Sequence, residues 1–294
     1  ESEEELAEIQ SVARALGKKA SVAIRVTPDV IPKTHKYIAT GKGETKFGLD
    51  FETVHKIFNS AWKYPDININ GIHIHIGSQI LDAEPFLNAI KKVLEFIKTN
   101  RIKIEYFNIG GGLGIMYSIE NPQTAKAFAG KVLPLLKNSG LKIILEPGRF
   151  ISGNSGLLVT RTVYTKITPR KKFIIVDSGM SDLIRPSLYE AYHKIVPVVV
   201  RPDSSDTCEK VDVVGPICES GDFLGKDRLL PALNKGDLLA VMGAGAYGFT
   251  MSSNYNSRPR ASEVMVIKGK FYVVRRAENY KDLVRGESVP GVLR

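Results

Sequence analysis

Two histidines stand two residues apart in GIHIHIGSQI, residues 71–80. Strand side chains alternate with period two, so on a strand His73 and His75 would share one face. A metal site needs further ligands. His35, His55 and His193 supply candidates, but none lies in a ligand motif. His73 reads as a satisfied structural histidine. His75, two residues before Gly77 and Ser78, is placed to stack on a planar ring. Two further segments belong with it. NIGGGLG (108–114) carries Gly110, Gly111 and Gly112, whose backbone N–H groups can converge on an anion. LEPGRF (145–150) sets Glu146 and Arg149 beside that turn. Either Gly-rich turn alone is weak evidence for anything beyond a tight connection. Together they point to a phosphate. No Walker loop is present, and GGGLG lacks the spacing and downstream acid of a dinucleotide fingerprint, so the phosphate belongs to a compact cofactor.

The second half of the chain has its own reactive residue types. GPICESGD (215–222) puts Cys218 next to Glu219. A lone cysteine reads first as a small buried hydrophobe. Beside an acid in a Gly- and Pro-bounded segment it also suits proton transfer. MGAGAYGFTMSSNYNSRPR (242–260) reads either as a long loop or as a ligand loop in which Tyr247 is placed for contact. MSDLIRPSLYEAYH (180–193) sets Arg185 and Tyr189 one helical turn apart, or on one loop. The plain reading of Arg185 is a surface ion pair.

These groups need a frame. At 294 residues the chain is long enough for about two domains of roughly 150 residues each. Ser2 and Glu5 have capping-box spacing, Leu6, Ile9, Ala13 and Leu16 fall on one helical face, and Gly17 can close that helix. Strands are expected at 21–26, 69–76, 104–109 and 142–146, with helices at 51–62, 84–99 and 124–138, the last kinked by Pro134. Strands alternating with helices predict a parallel sheet with crossover helices. In such sheets sites lie at the carboxyl ends of strands, where HIHIGSQ, NIGGGLG and LEPGRF fall. From about residue 157 the pattern becomes mostly strands, read as antiparallel. The expected division is residues 1–155, a partial cofactor-binding β/α barrel, and 156–294, a β domain carrying substrate and interface residues.

The net charge of +10 comes from scattered basic residues, with no basic stripe and interleaved aromatics, so no nucleic-acid partner is expected. No apolar run is long enough to span a membrane, and ESEEELAEIQ has no signal-peptide core. Cys208 and Cys218 form neither a CxxC nor a disulfide framework, which fits a reducing cytoplasm.

The segments HIHIGSQI, NIGGGLGI, LEPGR, VDSGMSDLIRPSLYEAYH, GPICESGDFLG and AGAYGFTMSSNYNSRPR, in this order, resemble the diaminopimelate decarboxylase family of fold-type III, alanine-racemase-like pyridoxal-phosphate enzymes. The resemblance runs from RVTPDV at residue 25 to the C-terminus. It implies a (β/α)8 barrel of the TIM type followed by an antiparallel β domain, with pyridoxal 5'-phosphate as cofactor and no metal. It implies that His75, counted with Cys218 as catalytic, stacks on the pyridine ring. Ser78, Gly111, Gly112 and the loop Glu146, Pro147, Gly148 and Arg149 would hold phosphate and ring. A carboxylate at Glu146 would keep the pyridine nitrogen protonated, so that the ring acts as an electron sink. Arg149, Arg185 and Tyr189 would bind substrate carboxylates. Cys218 would protonate the carbanion left by CO₂ loss, Glu219 would hold the distal ammonium, and Tyr247 would contact cofactor and substrate. A homodimer is implied, with Cys218 and Glu219 reaching the other subunit's site. An arginine at position 185 favours a distal carboxylate, hence meso-2,6-diaminopimelate decarboxylated to L-lysine.

The family's Schiff-base lysine, in an Ala-x-Lys-Ala type stretch on the first barrel strand, has no match here, and neither Lys42 nor Lys46 is in its position. Four βα units read where eight are expected, and the chain does not begin with Met. The expectation is a chain lacking the N-terminal part of the barrel. The alternatives are a related ornithine- or arginine-type decarboxylase, and a non-catalytic fragment that pairs with a partner chain. A metal-dependent barrel hydrolase built on His73 and His75 ranks below both.

Overall fold

The computed structural model of the chain describes residues 1–30, 46–199 and 208–293. Pro32, His35, Lys42 and Val200 lie outside these residues, as does most of the Gly- and Lys-rich segment 40–48. The chain divides into two compact units, Glu1–Ile151 and Ser152–Arg294.

In the first unit, α1 (Glu3–Ala15) is opened by Ser2, whose Oγ accepts from Glu5 N at 3.1 Å. It is closed by Gly17 at φ 62, a left-handed position suited to glycine. Leu6 and Ala13 are buried, but Leu16 lies past the last helical turn and faces solvent. There follow β1 (Ala20–Arg25), α2 (Phe51–Asn59), β2 (Ile67–His73), α3 (Glu84–Thr99), β3 (Tyr106–Asn108), α4 (Ala125–Leu136), β4 (Lys142–Ile144) and α5 (Gly148–Ser152). The four strands pair in parallel in the order β1-β2-β3-β4. Ile72, Ile74, Ile76 and Phe107 are fully buried, as parallel strands covered by helices require. Phe86, Ala89, Ile90 and Val93 form the inward stripe of α3, and Phe128, Val132 and Leu136 that of α4. Phe86 and Phe128 meet edge to face at 5.1 Å between centroids. Pro134 stands in the last turn of α4, where the missing N–H removes only one helical bond.

The register aligns the strand ends. Arg25 pairs with His73, His73 with Asn108, and Asn108 with Ile144, so one row closes the sheet. The strand expected to run to Ile76 ends in that row at His73, although Ile74 N still donates to Asn108 O at 2.9 Å. The regular alternation invoked for His73 and His75 therefore stops between them. The helix expected through residue 62 ends at Asn59 and continues only as a 3-10 turn over Ala61–Lys63.

The second unit contains β5 (Leu158–Ile167), β6 (Lys172–Val176), α6 (Arg185–Tyr189), β7 (Ile195–Pro197), β8 (Glu209–Val214), β9 (Phe223–Leu230) and β10 (Leu238–Val241). Their six strands form a sheet in the order β7-β10-β5-β6-β8-β9. The pairs are antiparallel except β6 with β8, which is parallel because α6 and β7 intervene and carry the chain back to the starting end. The expectation of a purely antiparallel domain is corrected at that pair. β9, FLGKDRLL, carries no clear strand signal in the sequence. Lys226, Asp227 and Arg228 interrupt its apolar pattern, Asp227 takes φ 53, and two register shifts break its pairing with β8. A separate antiparallel pair, β11 (Glu263–Ile267) with β12 (Lys270–Arg275), precedes the short α7 (Tyr280–Leu283). Ile174, Val176, Leu183, Val211, Val213, Leu224, Leu239 and Val241 form the core of the unit.

Phe107→Ala leaves a void at the centre of the parallel sheet and is expected to cost about 3–5 kcal/mol in denaturant unfolding. Ile167→Ala, at an exposed position, serves as the control. Equal unfolding midpoints for the two variants would contradict this packing.

Candidate active site

Just past the row of strand ends, three connections converge. Gly110 (φ 72) and Gly112 (φ 100) hold left-handed conformations, and all three consecutive glycines press on neighbouring backbone. A Cβ on Gly110 would lie 2.2 Å from Ile74 O, on Gly111 2.1 Å from Glu146 O, and on Gly112 2.2 Å from Gly77 O. Such distances exclude any side chain, so the turn after β3 is wedged between those after β2 and β4.

Asn108 organises this junction, and its type alone did not reveal it. Its Oδ1 accepts from Gly110 N at 2.9 Å, and its Nδ2 donates to Glu146 Oε1 at 2.7 Å. Glu146 N also donates to Gly110 O at 2.9 Å. His75 Nδ1 accepts from Gly111 N at 3.2 Å, which leaves the ring hydrogen of the neutral imidazole on Nε2. His73 Nε2 lies 3.7 Å from Glu146 Oε2 yet is buried and makes no hydrogen bond, so His73 is not the satisfied structural histidine expected. Arg149, only 7% exposed, donates through Nε and Nη2 to Ser78 Oγ at 3.3 and 3.0 Å and through Nη1 to Tyr117 Oη. With its lone pairs facing the guanidinium, the Ser78 hydroxyl keeps its hydrogen to donate to an anion. Gln79 clasps the chain at Ile115 by two bonds, Nε2 to the carbonyl at 2.7 Å and Oε1 from the N–H at 3.1 Å.

This set fits pyridoxal phosphate. The Glu146 carboxylate is 48% exposed, and its Oε2 can accept from a ring N–H. The orphaned His73 nitrogen marks a polar position beside it. A neutral His75 can lie flat on an aromatic ring, and the Ser78 hydroxyl can donate to an anion. His75, Ser78, Gly111, Gly112, Glu146, Pro147, Gly148 and Arg149 thus lie in one unit around one junction. His73 and His75 gain no third ligand: among the described residues no three His, Cys, Asp or Glu side chains gather as a metal site.

The second unit holds the other named residues. Arg185 and Tyr189 stand one turn apart on α6. Arg185 is 6% exposed, not the surface ion pair of the plain reading, and its Nη1 lies 2.7 Å from His193 Nε2. Cys218 is exposed, contrary to its reading as a buried hydrophobe. Asn256 Nδ2 donates to Cys218 Sγ at 3.2 Å, and Tyr255 Oη donates to Glu219 Oε2 at 2.9 Å. Asn256 holds φ 55, a left-handed conformation that asparagine tolerates better than most residues. Tyr247 also lies in the left-handed region at φ 57.

Asp222, which the sequence did not single out, frames the cysteine loop. Its carboxylate accepts from Met180 N at 2.6 Å and from Ile217 N at 2.7 Å. A Cβ on Gly179 or Gly215 would come within 2.6 or 2.5 Å of that carboxylate, so both glycines make room for it. Burial pushes the Asp222 carboxyl above the usual range, against the two N–H groups. Ser187 Oγ donates to Gly221 O at 2.5 Å and ties α6 to the same loop. The only sequence signal for Asp222 is its place directly after Gly221 at the end of GPICESGD.

Comparison with known proteins agrees with both halves. Residues 1–153 match the family described as "Pyridoxal-dependent decarboxylase, pyridoxal binding domain". The parallel sheet, its strand-end junction and this match define a pyridoxal-dependent decarboxylase. The diaminopimelate decarboxylase of Aquifex aeolicus is 50% identical over 97% of this chain and 68% of its own length. That of Vibrio cholerae is 46% identical over 98% of this chain and 69% of its own. The crystal structure of Helicobacter pylori diaminopimelate decarboxylase complexed with L-lysine superposes with a TM-score of 0.90, at 41% identity, over 97% of this chain and 71% of that one. The chain belongs to the diaminopimelate decarboxylase family, whose fold is a TIM-type barrel followed by a β domain.

Burial holds both imidazoles below their ordinary value of 6.5. At His73, Glu146 opposes the shift and Arg25 adds to it; at His75, Arg25 and His73 add to it and Glu146 opposes it. The unfolded chain therefore takes up protons near pH 6.5 that the folded chain resists, and stability falls as pH drops through and below that value. Urea midpoints measured between about pH 7.5 and pH 5 are expected to decline, and less steeply in His73→Gln. An identical slope in the variant would show that His73 is not among the groups responsible.

Proposed function

We infer that this protein decarboxylates meso-2,6-diaminopimelate to L-lysine and CO₂, with its first unit holding pyridoxal phosphate and its second supplying groups for substrate and proton transfer. The observation that carries this reading is the junction of His75, Gly111, Ser78, Glu146 and Arg149 on strand ends of a chain 50% identical to a diaminopimelate decarboxylase. The L-lysine in the Helicobacter pylori structure is the product expected from this substrate.

In this reading Ser78, with Gly111 and Gly112, would hold the phosphate, and Glu146 would accept from the pyridine N–H. Pro147 and Gly148 shape the turn that carries Glu146 and Arg149. When bound, the cofactor supplies an electron sink for the pair left when the bond to the carboxylate breaks. His75 would cover one ring face and, being neutral there, would not compete with Glu146 for the ring's charge. Arg149 braces Ser78 and, with Arg185 and Tyr189, provides for substrate carboxylates. Glu219, oriented by Tyr255, receives the distal ammonium. Cys218 delivers the proton that replaces CO₂, its sulfur aimed by Asn256. Tyr247 would contact cofactor and substrate. The second unit serves these roles in a homodimer, where Cys218 and Glu219 act in the partner copy's site. Two exposed cysteines and no membrane-length apolar helix among the described residues support a cytoplasmic setting.

CO₂ release by the intact gene product, supplied with pyridoxal phosphate, is expected to be fastest from meso-diaminopimelate. Faster release from L-ornithine or L-arginine would overturn the substrate assignment. Cys218→Ala is expected to lower kcat by about 10²–10⁴, the usual range for losing a positioned acid, with cofactor absorbance retained. An unchanged kcat would remove Cys218 from proton delivery.

A further inference from the structure

We propose that His193 is a positioning residue for Arg185, a neutral hydrogen-bond acceptor that orients the guanidinium toward a substrate carboxylate. The proposal rests on the reading of Arg185 given above and adds the group that fixes its orientation.

His193 is fully buried, at 0% exposure. Its Nδ1 lies 2.8 Å from Met242 O, and its Nε2 lies 2.7 Å from Arg185 Nη1. A carbonyl oxygen has no hydrogen and a guanidinium has no lone pair to share. The ring must therefore donate from Nδ1 to Met242 O and accept at Nε2 from Arg185. Only the neutral Nδ1–H tautomer does both, since an imidazolium would set N–H against N–H at Arg185.

The backbone makes this arrangement rigid. Met242 follows β10, and its N–H donates to Lys194 O at 2.8 Å while its carbonyl accepts from His193. The two bonds continue the β7–β10 pairing and pin residues 193 and 194 to residue 242. On the other side, Glu190 ends α6 in the left-handed conformation, at φ 52, and turns the chain so that residue 193 comes back over residue 185. Ala191 N donates to Arg185 O at 3.3 Å within this return.

The chemistry explains why an imidazole suits the position. A carboxylate there would also orient Arg185, but it would compete with an anionic substrate for the same charge. A neutral acceptor directs the fork without neutralising it. The YEAYH segment thus acquires a role distinct from the metal-ligand reading of His193.

Four variants and one spectrum test this in the intact gene product loaded with pyridoxal phosphate. His193→Phe keeps a ring but loses both bonds, and it is expected to raise KM for meso-diaminopimelate by about 10- to 100-fold while changing kcat much less. His193→Gln, whose amide oxygen can accept from Arg185, is expected to recover most of that loss. Arg185→Ala raises KM on its own, and adding His193→Phe to it has little further effect. An unmoved KM in His193→Phe beside a raised KM in Arg185→Ala overturns the role of His193 alone. An unmoved KM in Arg185→Ala overturns the reading of Arg185 and the proposal with it. Nitrogen-15 spectra of the histidine-labelled protein read the ring directly. They are expected to show one histidine in a fixed Nδ1–H tautomer that His193→Gln removes. An Nε2–H or doubly protonated ring at that position would also overturn the proposal.

Discussion

The first unit depends on a distance too short for a methyl group. Three successive backbones pass so closely beyond the sheet that a Cβ on Gly110, Gly111 or Gly112 would stand 2.1–2.2 Å from a carbonyl oxygen of a neighbouring turn. Everything placed around Glu146 follows from that contact. The Asn108 side chain spans from Gly110 N to the Glu146 carboxylate because the turns are this close. The His75 ring is oriented by the N–H of Gly111, the middle glycine. The glycines thus shape the site by letting backbone groups approach, and the polar side chains take their directions from that backbone.

The second unit is organised around charge. The Asp222 carboxylate is buried among N–H groups donated by two segments, from Met180 and from Ile217, and it joins the stretch ahead of α6 to the cysteine loop. Burying an acid there is costly, and the two backbone donors partly offset the cost. A loop this well anchored can present Cys218 and Glu219 at its exposed side, where Asn256 and Tyr255 reach them from a later segment. Rigid support behind and access in front are what a positioned proton donor requires.

The sequence disclosed those parts whose chemistry is tied to residue type and local spacing. Helix α3 was legible over its whole length because its apolar stripe keeps a strict 3.6-residue period. The glycine turn, Glu146, Arg149, Cys218 and Glu219 were legible because each is an unusual type in an unusual place. Asn108, Tyr117, Asp222, Tyr255 and Asn256 were not, since an amide, a phenol or an acid in a loop is ordinary and acquires meaning only from what lies opposite it. The strand β9 was hidden by Lys226, Asp227 and Arg228, which tertiary pairing tolerates at a bulged position and local pattern does not. The parallel pair β6–β8 was equally out of reach, because strand direction is set by the connection and not by the strands themselves.

Strand order carries a further consequence for how the chain is made. In the first unit each new strand docks beside the one just completed, β1 through β4, so the sheet can grow as the chain emerges from the ribosome. In the second, β5 pairs at once with β6, but its other edge must wait for β10, about seventy residues later in synthesis, and β7 can join only through β10. Tyr255 and Asn256 follow later still. The loop that bears Cys218 and Glu219 can therefore be anchored by Met180 and Ser187 before Asn256 and Tyr255 exist, and during translation its thiol passes through an interval in which its amide partner has not yet been made.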